Sequence, residues 1–155
     1  MALIYNIQGL KEVRDILNSD ILVQKFINHN AVLHKIYCIG DKVYMFLRPS
    51  LPNESELNSQ DKDYIFYGRI SKYEDPSCSC DVYPSQNFVE GLCNYIRQIY
   101  QLGLFGIDLI TELDQKDGII RHFIIDINYF PSYSGISEIP IAFTDLITKR
   151  LLSIQ

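Results

Sequence analysis

Residues 103–135, GLFGIDLITELDQKDGIIRHFIIDINYFPSYSG, read as two strands joined by a tight turn and followed by a polar loop. Residues 104–112 and 119–127 are rich in Ile, Leu and Phe, and Asp117-Gly118 between them is a hairpin signal. Centring the turn on Asp117 sets Leu113 opposite Arg121 and Asp108 opposite Asp126. Directly opposed residues of an antiparallel pair point to the same face. Asn128 shares that face because the side-chain period along a strand is two. Three oxygen-bearing side chains then converge from two apolar strands. Carboxylates placed there are costly unless a cation balances them, and a divalent metal is the usual answer.

Outward from this hairpin the chain alternates strand and helix signals. Just before it, Phe88, Leu92, Tyr95, Ile99 and Leu102 form an apolar stripe over residues 86–102, with Gly103 placed to end the helix. Beyond it, residues 139–154 carry Ile141, Leu146, Ile147, Leu151 and Ile154, with Lys149 and Arg150 where cations suit a helix C-terminus. Upstream, residues 31–39 and 42–48 are two strands around Gly40-Asp41, stopped by Pro49. Residues 21–27 (ILVQKFI) read as a further strand, residues 9–18 as a helix with Leu10, Val13, Ile16 and Leu17 on one side, and residues 2–5 as an opening strand. Over residues 50–85 the pattern dissolves into Pro, Ser, Asn and Asp around one apolar patch at 64–67. A loop of that length is functional or mobile. These elements predict one α+β domain over residues 1–155, an antiparallel sheet with helices packed on it.

Composition narrows the function. A chain of 155 residues can bury a real core, and 47% apolar with 21% charged residues is ordinary for a globular protein. The net charge of −5 argues against nucleic acid as a partner, because a nucleic-acid binder shows a basic stripe. Small anionic substrates stay open, since a local basic cluster fits an acidic protein. No apolar run reaches the roughly 18 residues of a membrane span, so no membrane partner is expected. Cys38, Cys78, Cys80 and Cys93 lack the spacing and the histidines of a zinc site, and Cys78 and Cys80 read as free thiols. With no signal peptide in view, the expected compartment is the reducing cytoplasm.

Two stretches carry a resemblance to a known family. One is QKFINHNAVLHK at residues 24–35, followed by RPS at 48–50; the other is LFGIDLI at 104–110 with DINYFPSYSG at 126–135. Together they resemble the ATP-grasp region of the inositol 1,3,4-trisphosphate 5/6-kinases, also called inositol-tetrakisphosphate 1-kinases. The likeness spans nearly the whole chain. It implies ATP and Mg2+ as cofactors and an inositol polyphosphate as the acceptor. Gln24, Lys25, Phe26 and Ile27 then fall in the nucleotide-binding hinge that meets the adenine edge. Lys35 corresponds to a residue that reaches phosphate and meets substrate, and His29 lies towards the substrate. Ser50 matches a position that contacts ATP, and Ser71 a second one. Asp108, Asp126 and Asn128 match magnesium ligands, Asn128 also lying near the inositol phosphate with Ser132 and Gly135.

Two departures bear on that implication. Ser132 stands where family members carry Gly, which a Ser tolerates only with negative φ or room for its side chain. The family also has a strand bearing a nucleotide-contacting Lys and a substrate-contacting His before a segment like MALIYNIQGL. Neither precedes it here, so the chain reads as the C-terminal part of the ATP-grasp domain, lacking its N-terminal part. It is then expected to be weakly active or inactive alone, and its exposed sheet invites self-association.

Each residue also has a plainer reading. Asp108 and Asp126 fit the solvated face of a hairpin, Asn128 an Asx turn, His29 a loop histidine bonded to backbone, and Lys35 an edge lysine. His34 and His122 read as structural or exposed. Two other functions stay open beside the kinase. An ATP-grasp carboxylate–amine ligase would use the same fold through an acyl phosphate, and a non-catalytic nucleotide-binding module would keep the acidic cluster for structure.

Overall fold

The apolar runs on either side of Gly40-Asp41, and the run that follows residue 103, assemble into one antiparallel sheet. A computed structural model of the chain describes residues 1–56, 62–68, 80–112, 117–133 and 136–153. The four-stranded sheet has the order β3-β2-β5-β6, with β2 Val32–Ile39, β3 Lys42–Pro49, β5 Leu104–Thr111 and β6 His122–Asn128. Gly40, at φ +58, turns β2 into β3, as a two-residue hairpin loop requires. Pro49 is itself the last paired residue of β3, opposite Val32, rather than lying beyond the strand.

Side chains alternate between two faces, and each face has its own helix. Ile36, Cys38, Phe105, Ile107 and Leu109 are fully buried against Val89, Cys93 and Ile96 of α2, Gln86–Tyr100. Tyr37 and Ile39 point the other way, into a second cluster with Tyr133, Ile136 and Ala142, the last from α3, Ile139–Leu152. A two-stranded sheet of β1 Ala2–Ile4 and β4 Tyr64–Phe66, with α1 Ile7–Leu17, forms a separate layer. Asn6 starts α1 by accepting a 2.9 Å bond from the Gly9 amide. The mixture is α+β, as the sequence predicts, and no helix among the described residues is long and apolar enough to cross a membrane.

Four expectations change. Residues 21–27 carry no strand pairing. The patch at 64–67 is not loop but β4, paired with β1 through Ile65 opposite Leu3. On α2 the buried line is Val89, Cys93 and Ile96, while Phe88, Tyr95 and Ile99 are 41, 63 and 52% exposed. A 3.6-residue period lets two adjacent stripes read as apolar, and the line with the smaller side chains meets the sheet. The helix also ends before Gly103. Gln101 takes the left-handed position at φ 53, and its side-chain amide donates to the Gln98 carbonyl at 2.7 Å.

Candidate functional site

The strand register builds the site. Lys35 on β2 opposes Asp108 on β5, and Asp108 opposes Asp126 on β6, so three charged residues stand in one row across three strands. The opposition of Asp108 and Asp126 is the one predicted from the hairpin. Further along, the register differs: Glu112, not Leu113, bonds to Arg121 through its amide, at 2.9 Å. The cause is a bulge just past the row, where Leu109 pairs with Ile124 and Ile125 becomes the extra residue. Bulges of this kind re-aim side chains and gather beside functional sites. Leu113 itself lies outside the described residues.

The Lys35 ammonium is 2.6 Å from Asp108 Oδ1, and both side chains are about four-fifths buried, at 20 and 17% exposure. Asp108 Oδ1 is buried and has no aligned hydrogen-bond donor among the described residues, so the contact is ionic rather than directional. Asp126 is exposed, and its Oδ2 accepts a 2.9 Å bond from the Asn128 side-chain amide. That bond leaves the Asn128 amide oxygen available. Two carboxylates facing one ammonium leave the row with net negative charge, and like charges directly opposed repel. An oxygen-only donor set of this kind fits a hard divalent cation. Among the described residues no group of three or more His, Cys, Asp or Glu could hold a metal, so the Asn128 oxygen would have to complete the protein's share.

The row continues the face that carries Tyr37, whose ring centroid is 6.0 Å from the Lys35 ammonium. Two positions along, Gly106 lies opposite both Tyr37 and Asn128. A Cβ on Gly106 would come within 3.0 Å of Pro131 Cγ, so the glycine lets the loop after β6 close over the strand beside the acidic pair. Sequence reading gave Gly106 no role. Its signal was a glycine inside a strand, which marks close approach. Ser132 is exposed and outside the left-handed region; that conformation falls on Tyr133, at φ 51. The departure from Gly therefore needs no strained serine. Gly135 and Ser71 lie outside the described residues.

A second cluster forms just before β2. His29 is buried, with Nδ1–H donating to the Ile27 carbonyl at 2.6 Å and Nε2 accepting from the Ser50 hydroxyl at 2.8 Å. Burial lowers its pKa below the ordinary 6.5, which favours this neutral form. The structure thus joins His29 and Ser50, 21 residues apart, in one hydrogen bond. Phe26 and Ile27 are half-buried beside them, whereas Gln24 and Lys25 are exposed. Asn53, which sequence reading missed, holds the turn by accepting from the His29 and Asn30 amides at 3.1 and 2.9 Å. Nothing in the sequence near Asn53 marks that long-range role. Val32 N–H closes the turn onto the His29 carbonyl at 3.2 Å, with Asn30 and Ala31 at φ 56 and 54.

Known proteins resemble this chain over almost all of it. The family model of the inositol 1,3,4-trisphosphate 5/6-kinase ATP-grasp domain matches residues 1–149. An inositol-tetrakisphosphate 1-kinase of Xenopus laevis is 36% identical over 100% of the chain, which covers 39% of that protein. Inositol-tetrakisphosphate 1-kinase 1 of Arabidopsis thaliana is also 36% identical, over 97% of the chain and 50% of its own length. Inositol-tetrakisphosphate 1-kinase 4 of Oryza sativa subsp. indica is 32% identical over 97% of the chain and 44% of its length. The chain spans half or less of these relatives.

Proposed function

The chain belongs to the inositol 1,3,4-trisphosphate 5/6-kinase ATP-grasp family, and from that premise we propose that the protein it represents transfers the γ-phosphoryl group of ATP to a hydroxyl of an inositol polyphosphate. The observation that carries this reading is the row Lys35–Asp108–Asp126 with Asn128 beside it. Phosphoryl transfer asks little covalent chemistry of a protein; it asks for alignment and for neutralised charge. Asp108, Asp126 and Asn128 would hold Mg2+, which when bound supplies that neutralisation at the phosphate oxygens.

The other residues act around that point. Lys35 brings the ammonium, held ready by Asp108 and able to reach toward a phosphate instead. Gln24, Lys25, Phe26 and Ile27 seat the adenine along a segment that pairs with no strand among the described residues. Ser50 contributes a hydroxyl from the end of β3, together with Ser71. His29, Asn128, Ser132 and Gly135 face the inositol phosphate. His29 keeps one ring nitrogen on the Ile27 carbonyl, so it meets an acceptor by exchanging its Ser50 bond.

Calorimetric titration with a non-hydrolysable ATP analogue tests the assignment. Saturable binding at millimolar nucleotide that depends on Mg2+, and loses that dependence in Asp126→Asn, is the expected result. Asp126 is exposed, so the substitution spares the fold. Absence of nucleotide binding overturns the kinase reading. With the full-length protein, phosphorylation of an inositol phosphate and none of an amino acid separates it from a ligase.

A further inference from the structure

The end of the sheet remote from the acidic row is basic. There the Gly40-Asp41 turn, the end of α2 and the last turns of α3 enclose an open cavity of about 350 Å³ lined by Arg97, Lys149 and Arg150. Lys149 is held by Asp41 at 2.6 Å, and Arg97 by Asn94 and the Cys38 sulfur, the latter at 2.9 Å. Arg97 Nε is buried with no hydrogen-bond partner among the described residues. Arg150 makes no ion pair among the described residues. It reaches across Gly103, its Nη2 lying 3.9 Å from where a Cβ there would stand.

The simplest role for these cations is to offset the negative ends of α2 and α3. Each helix end carries roughly half a charge, and Asp41 adds one. Three cations exceed that by about one positive charge, and they face an open cavity within a chain of net charge −5. We propose that this cavity is a second anion site, distinct from the Lys35–Asp108–Asp126 row, and that it takes a phosphate-bearing aliphatic small molecule. Its volume lies at the small end of ligand sites. Among the described residues no lining side chain is aromatic, so a nucleobase finds no stacking face there, while the Gln98 and Gln101 amides offer hydrogen bonds to hydroxyl or phosphate oxygens. The cavity begins at Gly40, about five residues or roughly 17 Å along the strand direction from Lys35, and the Gly40 amide bonds the Gly103 carbonyl at 2.8 Å beneath it.

Amide NMR titration of the whole chain, without added Mg2+, tests this site with three probes: inorganic phosphate, myo-inositol hexakisphosphate and ATP. The Gly40 and Gly103 amides should shift along one saturable curve, tightest for the hexakisphosphate. Arg150→Gln should weaken that curve roughly tenfold, the loss of one charge-assisted bond. Asp41→Asn should tighten it by freeing Lys149. Both positions are exposed, and an unchanged spectrum away from the cavity checks the fold. No saturable shift at millimolar hexakisphosphate, or a curve indifferent to both substitutions, overturns the site. ATP binding more tightly than hexakisphosphate overturns the aliphatic assignment. Because the readout is local, it is independent of nucleotide binding at the row.

Discussion

Ala31 shows what a single residue can conceal. It sits at φ 54, next to Asn30 at φ 56, in the tight turn that joins His29 to Val32. Asn tolerates the left-handed region, but Ala has a Cβ and no compensating side-chain bond. Ala31→Gly should therefore stabilise the chain by about 1 kcal/mol, read as a higher urea midpoint with an unchanged slope. The Lys35–Asp108 pair makes the opposite case. Lys35→Met strands a largely buried carboxylate and should cost about 2 kcal/mol. Adding Asp108→Leu should restore most of that loss, because an apolar pair replaces an ionic one. A double-mutant cycle by urea denaturation measures both. At this scale the sequence made Asp108, Asp126 and Asn128 legible, since parity across a hairpin is a local rule. His29, Ser50 and Asn53 meet across 21 and 24 residues, and no periodicity encodes such contacts.

Among the elements, the strands of the four-stranded sheet and β1 were readable, whereas β4 was not. β4 is three residues inside a polar stretch, and it becomes a strand only because β1 supplies a ladder. The bulge beside Asp108 was equally hidden, since one extra residue in β6 leaves the apolar composition unchanged. α1 depends on that small second sheet. A Cβ on Gly9 would lie 2.1 Å from the Asp63 carbonyl oxygen, which cannot retreat because it accepts from the Tyr5 amide at 2.9 Å. Gly9→Ala should cost about 1–3 kcal/mol by overpacking. The loss should be local: faster hydrogen exchange at the Tyr5 and Tyr67 amides, which tie β1 to β4, with the four-stranded sheet unaffected. Uniform acceleration across both sheets would instead show that the two layers unfold as one.

For the molecule as a whole, its three histidines set the acid limit. His34 is fully buried under α2's face of the sheet, linked through the Thr111 hydroxyl to His122, with bonds of 3.3 and 2.9 Å. Tyr83 and Phe88 cover the two rings. Burial, and then His122, push the His34 pKa from 6.5 down to about 4. Burial also lowers His29 and His122. In the unfolded chain these groups take up protons near 6.5, whereas the folded chain refuses them. The contribution of His34 is thus whole above pH 6.5 and is lost as pH falls from there towards about 4, while those of His29 and His122 begin to fall from the same upper limit. The slope reaches at most about 1.4 kcal/mol per pH unit for each proton withheld. Asp41 and Asp117 act lower down. Lys149 and Arg121 hold their carboxyls below the ordinary 3.8, so their loss begins only under that value. Denaturant midpoints should accordingly be flat just above pH 7 and fall steadily between 6.5 and 4. His34→Gln should flatten the upper part of that fall. If the profile of His34→Gln instead parallels the parent, the acid sensitivity belongs to His29 and His122, and the Thr111 bridge is structural only.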